Sequence, residues 1–228
     1  METNTEKKVL DNYRFERKYI LNQNQLFDFY FYLSKNGFYK KYDVRKVHSI
    51  YFDSANLLSK DENKSGLYNR KKVRYRYYDD EYNNGVIELK IKKGFLGTKK
   101  YYDFNNKDLK NFDLKNLLHL LGLEINNNII HNEQISHHLF PILYLHYFRD
   151  YYVSYNNKFR ITIDKNIFYK NLINENSFRE NDIVVEIKYD SKNVDKSEIF
   201  SLPFLKYTRN SKYVNGIDKT TLSQIFNE

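Results

Sequence analysis

Five short segments of the chain alternate apolar and charged residues, and this period of two constrains the fold more than any other feature. Successive side chains of a β-strand leave opposite faces of the backbone, so each segment predicts a strand with one apolar and one charged face. The five segments are residues 15–19, 73–77, 87–92, 159–164 and 185–189. The pattern Glu-x-Lys recurs in three of them and places a carboxylate beside an ammonium group each time.

Other patterns complete a prediction of the fold. Three further predicted strands, 47–53, 99–104 and 143–153, raise the number to about eight, which is enough to close a barrel. The spacing of apolar residues predicts helices at 22–36, 108–121, 132–139 and 216–226. Asn-rich stretches at 56–69, 124–133 and 170–182 are typical of surface loops. We therefore expect an α+β fold, a closed antiparallel β-barrel or tunnel of about eight strands with helices packed outside.

The chain shows no sign of a domain boundary. Its 228 residues contain only 7 Gly and 2 Pro, without a Gly/Ser-rich or Pro-rich linker. We expect one domain over residues 1–228, with its core at about 12–218. No stretch is long and apolar enough for a membrane span, and the N-terminus lacks the apolar stretch of a signal peptide. The sequence thus predicts a cytoplasmic protein.

Composition and motifs exclude several kinds of chemistry. Zero Cys excludes disulfides, thiolate metal sites and a cysteine nucleophile. The chain has no Walker glycine loop, no Gly-x-Gly-x-x-Gly and no Gly-x-Ser-x-Gly, and its six His lack a zinc-like spacing. The 38 Lys and Arg exceed the 29 Asp and Glu by nine, so a polyanionic partner fits the charge.

The charged strand faces can be interpreted in two ways. An antiparallel sheet normally turns its charged face to water. Against that, the faces hold almost no Ser, Asn or Gln, although the predicted loops are full of Asn. Cations also outnumber acids on these faces, and like charges about 6 Å apart cost about 3 kcal/mol at an effective dielectric near 20. If the faces point inward, an anion is required to balance seven cations: Lys18, Arg74, Arg76, Lys90, Lys92, Arg160 and Lys188.

A chain of phosphates fits such an interior. Arg donates bidentate hydrogen bonds to phosphate oxygens and Lys supplies a compact charge. The fewer carboxylates suit Mg²⁺ or Mn²⁺, which keeps waters and bridges to substrate phosphates. Phosphoryl transfer needs mostly alignment of the reacting oxygens and neutralisation of charge, so a dedicated nucleophile is not required.

Eight motifs in order make the chain resemble the polyphosphate polymerase domain of vacuolar transporter chaperone (VTC) proteins, a branch of the triphosphate tunnel metalloenzymes. The motifs are residues 15–19, 49–53, 72–77, 87–90, 147–149, 160–164, 185–189 and 211–216. The resemblance implies a closed tunnel in which cations hold a nucleoside triphosphate and a growing polyphosphate chain, with a divalent metal near the phosphates. Family members also carry an inositol-phosphate-sensing domain and membrane helices, and we expect only the catalytic unit here.

The resemblance also implies roles for particular residues. The phosphate-binding residues it implies, several of them catalytic, are Lys18, Arg74, Arg76, Lys90, Arg149, Arg160, Lys188 and Lys212, with Ser211 beside them. Glu186 would hold the metal, Glu16 and Glu88 would bind metal or balance charge, and Asp164 would bind metal or orient an Arg. A further lysine is expected in the strand after Gly97, where Lys99 and Lys100 are both available, and we favour Lys100.

These residues leave several functions open. The first is metal-dependent transfer of the γ-phosphate of ATP to polyphosphate. The same site with water as acceptor would be a triphosphate hydrolase, and without turnover it would be a polyphosphate-binding module. Binding of nucleic acid is the least favoured, because the aromatic residues of the predicted strands alternate with the cations and so lie on the opposite face.

Overall fold

The computed structural model describes residues 14–94, 96–105, 113–190, 202 and 205–222. These residues form ten strands: β1 (Arg14–Leu21), β2 (Phe38–Asp53), β3 (Asn69–Tyr78), β4 (Asn84–Lys93), β5 (Leu96–Asn105), β6 (Phe140–Ser154), β7 (Phe159–Asn171), β8 (Ser177–Glu180), β9 (Ile183–Asp190) and β10 (Lys206–Thr208). The helices are α1 (Gln23–Lys35), α2 (Leu58–Ser65), α3 (Leu114–Glu124) and α4 (Lys212–Leu222). α3 continues through a π-helical turn, Ile125–Ile129, into the short helix Ile130–Asn132. No helix of the described residues has the length and apolar character needed to cross a membrane.

The strands belong to one antiparallel sheet, which confirms the predicted α+β class. Their order is β10-β1-β9-β7-β6-β2-β3-β4-β5, and β8 pairs with β7. The number of strands is ten where about eight were predicted, because β8 and β10 have only four and three residues, too few for a period of two to be recognised. Within the described residues the order ends at β10 and β5, and no hydrogen-bonded ladder joins these two strands. The closed barrel is therefore not confirmed.

The helix predicted at 132–139 is wrong, and so is the loop predicted before it. Ile125 and Ile129 are buried at a spacing of four residues after Leu121, so the apolar side of α3 continues through the Asn-rich segment. The Asn126 side chain accepts a hydrogen bond from the Leu139 backbone N–H at 2.9 Å and fixes the irregular segment after the helix. A run of polar residues was therefore the exposed side of a helix.

Two other predicted loops also contain regular structure. The segment 56–69 contains α2, whose first amides donate to the buried Asp53 carboxylate, Ser59 at 2.9 Å and Lys60 at 3.0 Å. The segment 170–182 contains β8. Helix α4 begins at Lys212, four residues before its predicted start, and residues 223–226 of that prediction lie outside the described residues. Residues 108–112 of the helix predicted at 108–121 also lie outside them.

The described residues divide into two compact units. The first contains residues up to 45, 147–167 and 180–210, and the second contains 46–146, 168–179 and the residues from 211 onward. In the first unit, Phe29 and Leu33 of α1 pack on the apolar face of β1, β7 and β9. In the second, Leu117 and Leu121 of α3 pack on the apolar face of β2, β3 and β4. In each unit the helix covers the apolar face, so the charged face of the strands lies on the other side of the sheet.

Two histidines lie in the core of the second unit. The His48 ring stacks on Tyr77 at 4.4 Å, its Nδ1 lies 2.7 Å from the Tyr144 hydroxyl, and the His146 ring lies 5.6 Å away. His48 Nε2 and His146 Nδ1 are buried without a hydrogen-bond partner. Burial, with Lys46 nearby, lowers the pKa of each imidazole to about 4. The core therefore holds both rings in the neutral form.

This pair makes stability depend on pH. The unfolded chain takes up protons near pH 6.5, whereas the folded chain takes them up only near pH 4, so the unfolding free energy falls as the pH falls between these values. His146→Phe should flatten that dependence, because Nδ1 makes no hydrogen bond and the phenyl ring can stack on Phe168. The measurement is the thermal midpoint across this pH range, with the exposed His131→Phe as the control. An unchanged slope in His146→Phe would contradict this account.

Candidate functional site

The charged faces of the strands bury several of their charges, in contrast to the usual solvated face of an antiparallel sheet. Only 9% of Arg76, 6% of Glu88 and 9% of Glu186 is exposed. Buried charges are retained only when they are paired or bind an ion. On the charged strand faces of the described residues, each unit contains a group of such charges.

The first cluster lies in the first unit, where three strands bring charges into register. Lys18 of β1 lies opposite Glu186 of β9, and Glu16 lies opposite Lys188. The Lys18 ammonium is 3.4 Å from a Glu16 oxygen and 3.8 Å from a Glu186 oxygen, and Lys188 contacts Glu186 at 2.6 Å. The strand pairing thus joins two of the three Glu-x-Lys motifs into one network of alternating charge.

Glu186 is the centre of this first cluster. Burial opposes ionisation of its carboxyl group, but Lys188, Lys18 and Arg149 together hold its pKa well below its usual value. Glu186 is therefore a carboxylate at neutral pH. It can accept hydrogen bonds or bind a cation, but it cannot donate a proton.

Arg149 forms the second ion pair of the first cluster. Its Nε and Nη2 donate to the two oxygens of Asp164 at 2.6 and 2.8 Å, a bidentate pair whose carboxylate is fully buried. This geometry favours the role of Asp164 as the residue that orients Arg149. Arg160 of β7 lies opposite Lys188 of β9, which in turn lies opposite Glu16 of β1. Arg160 is exposed.

Two buried oxygens of the first unit lack hydrogen-bond partners. Thr162 lies opposite Glu186 in the pairing of β7 with β9, and its Oγ1 is buried and unpaired. Asn210 accepts a hydrogen bond from Lys18 through its backbone oxygen at 3.0 Å, while its Oδ1 is buried and unpaired. The described residues contain no group of three metal-ligating side chains. Glu186 and Glu16 with these neutral oxygens are hard oxygen ligands of the kind that a partly hydrated Mg²⁺ or Mn²⁺ prefers.

The second cluster lies in the second unit and is organised by Glu88. Arg74 donates to Glu88 Oε2 from Nε at 3.1 Å and from Nη2 at 2.5 Å, and Arg76 and Lys99 lie 3.6 and 3.5 Å from the same carboxylate. Burial opposes ionisation of Glu88, but Arg74, Arg76 and Lys99 lower its pKa to about 2. One acid therefore faces three cations, and these surroundings favour charge balance over metal binding.

A row of three lysines lies beside this second cluster. Lys72, Lys90 and Lys99 occupy directly opposed positions on β3, β4 and β5. Lys92 lies opposite Arg70 one step further along the same face. Lys72 donates to Ser211 Oγ at 3.0 Å, so the start of α4 contacts the end of this row. The register thus adds Lys72 to the cations that the sequence singled out.

The choice of Lys100 over Lys99 is corrected by the structure. Lys100 lies opposite Leu89 on the apolar side of the sheet and contacts both oxygens of Glu133 at 2.8 Å. Lys99 lies on the charged face and contacts Glu88. Alternation alone leaves the two equivalent, and only the pairing with β4 distinguishes them.

Tyr51 belongs to the second cluster and was missed by the sequence prediction. Its hydroxyl accepts a hydrogen bond from Arg74 Nη1 at 3.0 Å, and its ring stacks on Tyr213 at 5.0 Å. Burial alone would raise its pKa, but Arg74, Arg76 and Lys212 lower it. Tyr213 in turn donates to Asp53 at 2.5 Å, which fixes the first turn of α4 and hence Ser211 and Lys212. Residues 49, 51 and 53 alternate along β2 and so share one face, and this spacing could have identified Tyr51 from the sequence.

Comparison with known proteins gives a family. The family model for the VTC domain matches residues 13–221. No curated protein matches the chain in sequence. Among solved structures, a protein from Pyrococcus horikoshii is similar at 15% identity with a TM-score of 0.48, over 91% of this chain and 99% of that one. A candidate adenylate cyclase from Vibrio parahaemolyticus is similar at 11% identity with a TM-score of 0.43, over 79% of this chain and 78% of that one. A candidate adenylyl cyclase from Hippeastrum, described as having a dominant triphosphatase activity, is similar at 11% identity with a TM-score of 0.42. The similarity covers 92% of this chain and 87% of that one.

The charge balance of the second cluster can be tested directly. Glu88→Gln leaves Arg74, Arg76 and Lys99 without their shared carboxylate, so the unfolding free energy should fall by about 3 kcal/mol in phosphate-free buffer. Tripolyphosphate should then raise the thermal midpoint of Glu88→Gln more than that of the wild type, because the ligand replaces the lost anion. Asp28→Asn, at an exposed acid of α1, is the control. Equal ligand stabilisation of wild type and variant would show that the cluster does not take up phosphate.

Proposed function

Because the chain belongs to the VTC domain family, we propose that it is a metal-dependent phosphotransferase that moves the γ-phosphate of ATP onto a polyphosphate chain. The bond between the γ-phosphorus and the β,γ-bridging oxygen breaks, and a terminal phosphate oxygen of the acceptor chain forms the new bond. ADP leaves, and the chain grows by one phosphate. The closed tunnel around the reacting phosphates and the single domain over residues 1–228 stay predictions from the sequence.

The observation that supports this proposal most is the surplus of cations around nearly buried carboxylates. In the second cluster Glu88 faces Arg74, Arg76 and Lys99, and Lys72 and Lys90 lie in the adjoining row. Cations held this close together repel one another unless an anion offsets their charge. Polyphosphate and the triphosphate of ATP supply several charges in a line, and Arg and Lys together can bind them along that line.

We assign the residues in the following way. Lys18, Lys188, Arg149 and Arg160 in the first unit, and Arg74, Arg76, Lys90 and Lys212 in the second, bind substrate phosphates. Ser211, Lys92 and Lys99 contribute further donors. Binding fixes the donor and acceptor phosphates in line and offsets the charge that spreads over the oxygens in the transition state.

Glu186 and Glu16 would hold a divalent cation, Mg²⁺ or Mn²⁺. When bound, such an ion neutralises phosphate charge and polarises the phosphoryl group. The low pKa of Glu186 keeps it ionised for this role across the neutral range. Lys18 contacts both carboxylates, so it balances their charge when no metal is bound.

The products separate synthesis from its alternatives. Purified protein incubated with ATP and Mn²⁺ should release ADP and form polyphosphate that is resolved on a gel and degraded by an exopolyphosphatase. Orthophosphate in place of the polymer would assign the site to a triphosphate hydrolase. Tight binding of tripolyphosphate without any turnover would assign it to a polyphosphate-binding module.

Glu186→Gln tests the metal-binding role. The variant should reduce turnover by at least about a hundredfold, because it removes a charged metal ligand in a site where neutralisation drives the reaction. Binding of tripolyphosphate in the absence of metal should persist, because all the cations are retained. Asp28→Asn, at an exposed acid of α1 in the same unit, is the control. Normal turnover of Glu186→Gln at ordinary metal concentration would refute the assignment.

Arg74→Ala tests the phosphate-binding role. Loss of its guanidinium should weaken tripolyphosphate binding by about tenfold or more, as expected for one charge-assisted contact. Isothermal titration measures the affinity, and Arg179→Ala, at an exposed arginine of the same unit, is the control. A normal affinity in Arg74→Ala would place the ligand elsewhere.

A further inference from the structure

A strongly exposed part of β2 shares no residue with either cluster. Residues 39–45, here called the edge strip, are exposed on both faces of the strand. Within the first unit β2 is the last strand of the sheet, and β2 pairs with β3 only through residues 47–52. Among the described residues, no strand is hydrogen-bonded to the outer edge of the strip. The strip is therefore a free edge about 20 Å long.

The edge strip is basic on both of its faces. It contains three cations, Lys40, Lys41 and Arg45, and a single acid, Asp43. Lys40 leaves one face of the strand and Lys41 leaves the other, so positive charge lies on either side of the free edge. A shallow open cleft of about 540 Å³ lies along these residues and Tyr42.

Tyrosine pairs support the strip on both faces. The Tyr39 ring stacks on Tyr155 at 5.3 Å, and the Tyr42 ring packs edge-on against Tyr151 at 5.6 Å. The Lys41 ammonium lies 5.4 Å from the centre of the Tyr42 ring. These contacts limit the motion of the strand edge, which lowers the entropy lost when an anion binds to its cations.

Charges on an edge strand often serve only to prevent association with other strands. That role would favour an edge with few apolar groups. The strip and its neighbour instead expose 54% of Tyr42, 42% of Val44 and 75% of Tyr155. Exposed rings and an aliphatic side chain promote association, so protection alone does not account for this composition.

We propose that the edge strip is a binding surface for inorganic polyphosphate, which lies along the free edge of β2. Polyphosphate carries charged oxygens all around its axis, so cations on both faces of one strand can contact it at the same time. Single-stranded nucleic acid fits less well, because Tyr39 and Tyr42 leave opposite faces and consecutive bases cannot stack on both. The choice of polyanion rests on the proposed function. The surface holds the polymer outside the two clusters, and it is distinct from the site of phosphoryl transfer.

The test measures binding without turnover. Affinity for long-chain polyphosphate and for tripolyphosphate is measured by titration in EDTA without ATP, so the result does not depend on whether the chain is a polymerase. The strip variant carries Lys40→Gln, Lys41→Gln and Arg45→Gln. The control variant carries Lys35→Gln, Lys93→Gln and Lys158→Gln, which removes three exposed cations from three other places. All six residues lie near the surface, and the thermal midpoint checks that each variant folds.

The strip variant should bind long-chain polyphosphate about tenfold more weakly, because three exposed ion contacts are lost. Its affinity should also depend less on salt, while its affinity for tripolyphosphate and that of the control variant stay at the wild-type level. Equal loss in strip and control variants would mean that only net charge matters and would overturn the proposal. Aggregation of the strip variant with unchanged affinity for long-chain polyphosphate would also overturn the proposal. It would show that the charges serve to prevent association of the strand edge with other strands. If a single-stranded oligonucleotide of equal charge binds the wild type as tightly and Tyr155→Ala abolishes that binding, the surface belongs to nucleic acid.

Discussion

Buried carboxylates that each neutralise several cations are the interaction on which the rest of this structure depends. Glu186 lies between Lys188 and Lys18, and Glu88 lies among Arg74, Arg76 and Lys99. Without these acids, the charged faces of the strands could not be buried as they are, because like charges in a medium of low dielectric repel strongly. Both units share this arrangement, and in the second cluster the three cations around Glu88 exceed the single carboxylate. This surplus favours the binding of an anion.

The two clusters differ in the oxygen ligands that they offer. The first contains Glu16 and Glu186, Asp164 paired with Arg149, and two buried oxygens without partners, Thr162 Oγ1 and Asn210 Oδ1, which are ligands of the kind that a hard cation prefers. The second contains a single carboxylate that three cations already occupy, so it is suited to balance charge until an anion enters. Phosphoryl transfer requires both properties, a metal that neutralises charge and cations that hold the phosphates in line.

The period of two in the sequence was a dependable guide to the strands because it reflects the geometry of the extended backbone. All eight predicted strands are present, and the alternating residues share a face as expected. Predictions from polar composition were less successful. The Asn-rich segment after Glu124 is helical, because Ile125 and Ile129 continue the buried side of α3 whatever the polarity of the residues between them. Short strands such as β10, with three residues, are too brief to show any period.

The eight longer strands, the charged face of each and the family of the chain can all be read from the sequence, because they depend on local spacing and on the order of motifs. Which charges meet depends on the tertiary structure. Strand register joined Lys18 to Glu186, placed Lys99 and not Lys100 beside Glu88, and brought Tyr51 to Arg74. The docking of α4 brought Ser211 to Lys72. Strand register and helix docking cannot be derived from the residue spacing within one segment, because both depend on contacts between segments that are distant in the sequence.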